Sequence, residues 1–227
     1  MIKAAWLAFL FLALGAPASA QIAPSPAELS AYRGLHASAA KGDPADIERL
    51  IKAGAAIEAR DGHGRTPLHV AAFMQKQDAA RALLRLGADA NAFEAQKYDI
   101  VTIAAVADDV AMLKIALADG GNAKNITSPY EGTALIAAAH LGHDEVVRTL
   151  IAAKAPLDHV NNLGWTALIE SIVLGNGGKR HIATLEALVK AGADVNLADR
   201  GGSTPLTLAR GRNFAEMVTI LRAAGAR

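Results

Sequence analysis

The residues with the strongest claim to chemistry lie in one stretch, GNGGKRH, from Gly175 to His181. Glycines beside a lysine can cradle phosphate, because backbone N–H groups with no Cβ in the way close around an anion. A phosphate loop of that kind needs a strand before it and Ser or Thr directly after its Gly-Lys. Here Gly178-Lys179 is followed by Arg180, and the preceding residues, TALIESIV from Thr166, have the apolar pattern of a helix. The phosphate reading fails. There are seven histidines. A metal site needs three or four converging ligands, and only His140 and His143 are close in sequence, with Gly142 between them. Ser203 lies in GGSTPL, and the chain has no Gly-x-Ser-x-Gly elbow. The carboxylate pairs Asp108-Asp109 and Asp144-Glu145 are adjacent residues, which do not share a helix face, so they read as solvated turn charges. The chain has no cysteine, hence no thiol chemistry and no disulfides. The expectation is a non-enzyme with no catalytic residues, no metal site and no cofactor.

The elements that position these residues start after a leader. Lys3, the apolar run Trp6 to Leu14, and Ala18-Ser19-Ala20 before Gln21 form the pattern of a secretory signal peptide over residues 1–20. The apolar run is far shorter than the roughly 20 residues of a membrane span. Cleavage would leave 227 − 20 = 207 residues, and removing Lys3 would leave 22 basic against 22 acidic residues. A balanced charge gives no case for nucleic acid or an anionic membrane. The leader and the absence of cysteine fit export to a bacterial periplasm, or secretion. No membrane insertion is expected after cleavage.

The rest is repetitive. RTPLHVAA from Arg65, GTALIAAA from Gly132, WTALIESI from Trp165 and STPLTLAR from Ser203 align, and RGLHASA from Arg33 aligns with them. The shared apolar column reads Leu35, Leu68, Val101, Leu135, Leu168 and Leu206, at spacings of 33, 33, 34, 33 and 38. A second column reads Gly54, Gly87, Gly120, Gly192 and Gly225, with Lys154 in the fourth unit. Each unit reads as a short Ala-rich helix opened by Thr-Pro or its equivalent, a polar turn, a second helix closed by the glycine, and an extended turn-rich segment. Lys154 should be strained in a glycine position. Unit three has Asp99-Ile100 in place of Thr-Pro and Asp108-Asp109 in its turn, and is expected to be locally weaker. Unit five holds five extra residues within Gly175–Arg180, read as a flexible insertion on the rim opposite the hairpins, with Lys179, Arg180 and His181 toward solvent. Ser25-Pro26-Ala27-Glu28 matches a capping box, which predicts a first helix running unbroken from Pro26 to Ala40.

Period and signature together, with Thr66-Pro67-Leu68-His69 the fullest copy, resemble the ankyrin repeat family. The resemblance implies an all-α repeat solenoid, an ankyrin stack of about six helix-turn-helix units joined by β-hairpin-like loops. A cap segment over 21–30 precedes units at about 31–61, 62–94, 95–128, 129–161, 162–199 and 200–227. It also implies that His36, His69 and His143 serve local hydrogen bonds, and that a protein partner is gripped on the concave face. On that register the partner-binding candidates are His63, Arg65, Tyr98, Tyr130 and Trp165 on the fingers. Phe73, Met74, His140, Leu141, Val173 and Leu174 lie at the inner-helix ends, with Lys179 and Arg180 on the rim. The expected function is a monomeric, exported protein–protein interaction module. The alternatives are a secreted effector that binds a host protein and a metal-dependent hydrolase on the repeat scaffold.

Overall fold

A computed structural model describes residues 21–227, so the expected leader lies outside the described residues. Thirteen helices are formed there. A short α1 (Pro26–Ala31) precedes six pairs: α2 (Gly34–Lys41) with α3 (Pro44–Lys52), α4 (Pro67–Phe73) with α5 (Gln77–Arg85), α6 (Ile100–Val106) with α7 (Val110–Ala118), α8 (Ala134–Leu141) with α9 (Asp144–Ala152), α10 (Ala167–Val173) with α11 (Lys179–Lys190), and α12 (Pro205–Gly211) with α13 (Ala215–Ala223). The first members pack in series as an inner row, α2 to α12, and the second members as an outer row, α3 to α13. No strand is formed among the described residues. The connecting fingers are turns, with one isolated antiparallel bridge between Thr127 and Gly132.

The apolar column of the sequence is the spine of the core. Leu35, Leu68, Val101, Leu135, Leu168 and Leu206 are all buried in one continuous cluster. Burying each leucine is worth about 1.5–3 kcal/mol. The alanine pairs Ala71-Ala72, Ala104-Ala105 and Ala138-Ala139 are buried beside them, where small side chains let neighbouring helices close up.

Each inner helix after the first starts on a side-chain cap. Thr66, Asp99, Thr133, Thr166 and Thr204 accept from the backbone N–H three residues on, which satisfies one of the orphan donors of the first turn. Asp99 is thus a working substitute for threonine. Asp109 likewise caps α7, accepting from Met112 N–H at 2.9 Å. Its other oxygen takes an N–H from Gln77 at 2.8 Å. The two aspartates that look like departures in unit three both hold helix starts together. Lys154 does take the left-handed conformation of its column, at φ 64°.

Two expectations are corrected. The first helix is broken: Tyr32 (φ −58°, ψ 145°) and Arg33 (φ −135°, ψ 164°) are extended between α1 and α2. Tyr32 turns out to reach Asp61, and Arg33 Nη1 folds back onto the carbonyls of Ser30 and Tyr32, at 2.9 and 2.7 Å. The second correction is the insertion. Gly175 and His181 are the fifth unit's copy of Gly142-His143, and Asn176–Arg180 are the inserted residues. They add a turn to α11, which has 12 residues against nine in α9, and a loop that is tied down. Arg212 donates to the carbonyls of Val173 and Gly175, at 2.5 and 2.9 Å. Gly177, at φ 68°, lies so close to the Phe214 ring that an added Cβ would come within 2.5 Å of it.

Candidate functional site

The fingers are built from the root. In four of the five, one side-chain oxygen accepts two backbone N–H groups of the tip. Asp61 Oδ1 takes His63 and Arg65, Glu94 Oε1 takes Gln96 and Tyr98, Asn161 Oδ1 takes Leu163 and Trp165, and Asp199 Oδ1 takes Gly201 and Ser203, all at 2.8–3.0 Å. A short acceptor two residues before a turn is what such a loop needs. Backbone bonds then join neighbouring fingers: Ala95 N–H to His63 O, Ser128 N–H to Lys97 O, and Asn162 N–H to Tyr130 O, at 3.0, 3.1 and 3.0 Å. The first four fingers form one continuous edge.

The histidines brace this edge and the inner row. His36 meets Arg65 O, His69 meets Tyr98 O, His143 meets Ala105 O and His181 meets His140 O, each bridging to an adjacent unit, and His159 meets Glu131 O, which joins the fourth finger to the third. His69 also closes a capping box with Thr66. Burial holds its ring neutral, with a pKa lowered to about 4. His181, expected toward solvent, is buried, because its ring takes the bracing place of His143 one unit on. Among the described residues no three His, Asp or Glu side chains are grouped to hold a metal ion.

The thirteen candidate residues divide by exposure. His63, Leu141, Lys179 and Arg180 are exposed, and Phe73, Met74, Tyr130, His140, Trp165, Val173 and Leu174 are half-buried. Two cannot meet a partner in this conformation. Arg65 is 0% exposed. Its Nε donates to Asp61 at 2.6 Å, Nη1 donates to Ile22 O at 3.0 Å, and Nη2 pairs with Glu28, so the cap segment covers it. Tyr98 is buried because its ring packs into the core cluster. Arg180 is not a free rim charge either. It holds Asp108 through two bonds of 2.8 and 3.0 Å and Asp144 at 3.2 Å, so one side chain spans units three, four and five. His140 lies 3.4 Å from the buried carboxylate of Glu170, which in turn accepts from Asn161 at 2.8 Å.

Sequence reading passed over a column one residue before each finger root: Arg60, Phe93, Ile126, Val160 and Ala198. Phe93, Ile126 and Val160 occupy this place in three successive fingers and are 40%, 54% and 45% exposed. Leu163, on the fourth finger's tip, and Leu141 are exposed too. The signal was available, since three apolar residues at spacings of 33 and 34 fall outside the core columns. Exposed at the same place in successive fingers, Phe93, Ile126 and Val160 form an apolar line along the finger edge.

A helix-pair solenoid with a hydrogen-bonded finger edge is the class of protein this geometry defines. The model of ankyrin repeats, in three copies, matches residues 12–94 and 101–199. The chain belongs to the ankyrin repeat family. It is 33% identical over 190 residues to the ankyrin repeat protein YahD of Escherichia coli K12, covering 83% of this chain and 94% of that one. The crystal structure of an ankyrin repeat domain from Acinetobacter baumannii AYE is 44% identical, with a TM-score of 0.81 over 85% of this chain and 98% of that chain. The structure of the ankyrin repeat protein EF0377 is 26% identical, with a TM-score of 0.78 over 86% of this chain and 100% of that chain. Ankyrin repeats are protein–protein interaction modules and in general non-enzymatic scaffolds. No helix among the described residues is long and apolar enough to cross a membrane.

Proposed function

We propose that this protein is a monomeric, non-enzymatic binding module, exported to the periplasm, that grips one protein partner along the concave face of its stack. The observation that carries the reading is the apolar line Phe93, Ile126 and Val160 on consecutive fingers. Large apolar side chains left exposed in a contiguous row mark interaction surfaces. Beside it lie half-buried Tyr130 and Trp165, of the types enriched where binding energy concentrates. The row runs along the stack, which suits an extended segment or the face of a folded partner better than a small metabolite.

The test is crosslinking in the producing cell, comparing wild type with a Phe93→Ser/Ile126→Ser/Val160→Ser variant. All three side chains are exposed, so the variant should fold. Loss of the wild-type crosslinked species is expected, and equal recovery would dismiss this face. Fractionation with N-terminal sequencing tests the export half of the reading, for which a chain beginning at Gln21 outside the cytoplasm is the expected result. A mass measured in solution at one chain's value tests the monomer.

A further inference from the structure

The cap segment is held in an unusual way. None of the residues of α1 is buried; in the rest of the segment Pro24 is buried and Tyr32 packs partly against the core, so the apolar hold is confined to its two ends. A groove of about 350 Å³ remains beneath it, lined by Leu29 and Tyr32 on one side and by Ala37, Ala40 and Met74 on the other. Polar contacts hold the helix between them, and two of the four that reach the rest of the chain come from one guanidinium. Arg65 reaches 43 residues back to the carbonyl of Ile22 and 37 residues back to the carboxylate of Glu28. Glu28 also faces His63, at 3.4 Å, and its other oxygen accepts from Ser25 N–H at 2.8 Å. Tyr32 donates to Asp61, the acid that orients Arg65, at 2.5 Å.

Arg65 occupies the finger-base position that Tyr98, Trp165 and Ser203 hold in other units, and the segment covers only this one. Beneath the segment the tip of the finger carries Arg65, His63 and the exposed Arg60 with Asp61 among them, while Glu58, earlier in the same finger, accepts from Asp89 N–H at 2.9 Å. Arg60 also donates to Phe93 O at 2.6 Å, which ties this finger to the start of the apolar line.

We propose that residues 22–32 are a displaceable strap, and that Arg65 is a carboxylate-recognising subsite of the partner surface that Glu28 fills in cis. The occupant that replaces Glu28 is an acidic peptide segment of the partner, offering a carboxylate to Nη2 and a main-chain carbonyl to Nη1, the two bonds the strap now makes. The proposal rests on the binding-module reading for its biological use, but the subsite itself can be tested without the partner.

The experiment uses the whole chain from Gln21 and a fluorescent synthetic peptide with the sequence of residues 21–33. In the wild type the strap competes at the high effective concentration of a tethered ligand, so the peptide should not bind at micromolar levels. Glu28→Lys places two cations together and should release the strap. Hydrogen exchange of residues 26–32 should then rise at least tenfold while α8 and α9 keep their protection, and the peptide should bind saturably. Arg65→Met in the Glu28→Lys background should abolish that binding while circular dichroism still shows a folded chain. Unchanged exchange in Glu28→Lys would overturn the latch. An opened strap with no peptide binding would overturn the subsite. Loss of the crosslink in the Phe93/Ile126/Val160 variant is a separate readout, so failure there leaves the peptide result standing.

Discussion

Lys154 sits where its backbone wants glycine. It closes α9 in the left-handed region at φ 64°, while Gly54, Gly87, Gly120, Gly192 and Gly225 do the same work between 85° and 99°. A side chain with a Cβ in that region costs about 1 kcal/mol. Lys154 is exposed, and no ion pair of its ammonium is formed among the described residues, so little is lost with the side chain. Lys154→Gly should therefore stabilise the protein by about 0.5–1 kcal/mol, read as a rise of a few degrees in melting temperature. This residue was legible from the sequence because column and cap chemistry coincide. Asp99 was not. A buried acid reads as a defect, yet its Oδ1 accepts from both Thr102 N–H and Thr102 Oγ1, each at 2.8 Å, and Oδ2 accepts from Asn125 at 2.9 Å. Burial pushes its pKa up, against those hydrogen bonds. Asp99→Ala removes a cap and leaves buried donors without an acceptor, so it should cost about 2–3 kcal/mol in chemical denaturation. A cost under 0.5 kcal/mol would mean that unit three does not depend on this cap.

At the scale of elements, the sequence placed all six helix pairs, because period, caps and glycine closures agree from unit to unit. It failed where contacts cross units. Nothing local to Arg65 says that a segment near residue 28 will cover it, and nothing local to Arg180 says that its partners lie 36 and 72 residues away. Helical spacing from Leu29 to Leu35 predicts an unbroken first helix, whereas the break depends on the bond from Tyr32 to Asp61, 29 residues on. The insertion is the clearest element-scale test. Deleting Asn176–Arg180 joins Leu174-Gly175 directly to His181, recreating Leu141-Gly142-His143 of the preceding unit. The variant should fold with its far-ultraviolet spectrum intact. It loses the Arg180 bridges, which are exposed and worth at most about 1 kcal/mol, and the Gly177 contact with Phe214. The loss should be no more than about 2 kcal/mol. A variant that cannot fold would mean that the loop does more than lengthen α11.

At the scale of the molecule, the helices of each unit pack on those of the units beside it, and the Arg180–Asp108 pair reaches past one unit, so stability is largely a chain of local terms and the two ends open most readily. Acid should act first on the N-terminal end. The backbone and hydroxyl of Ser25, with Arg65, hold Glu28 at a pKa of about 2. Burial pushes Asp61 up, but hydrogen bonds from Tyr32, from Arg65 and from the His63 N–H outweigh it and bring it to about 2. Both are depressed below the unfolded values of roughly 4. Their contribution is therefore complete above about pH 4.5 and disappears as pH falls toward 2. Arg65, which faces Glu28, stays charged throughout this range. Asp99 has the opposite sign, because a raised folded pKa favours the folded state as pH falls, so unit three gains where the cap loses. Hydrogen exchange between pH 5 and pH 2.5, corrected for intrinsic rates, should show residues 26–32 losing protection before α6 and α8 do. The Glu28→Gln chain should show the same segment already less protected at pH 5, with a flatter acid dependence. If instead all units lose protection together, the ends do not open independently and the cap is part of one cooperative block.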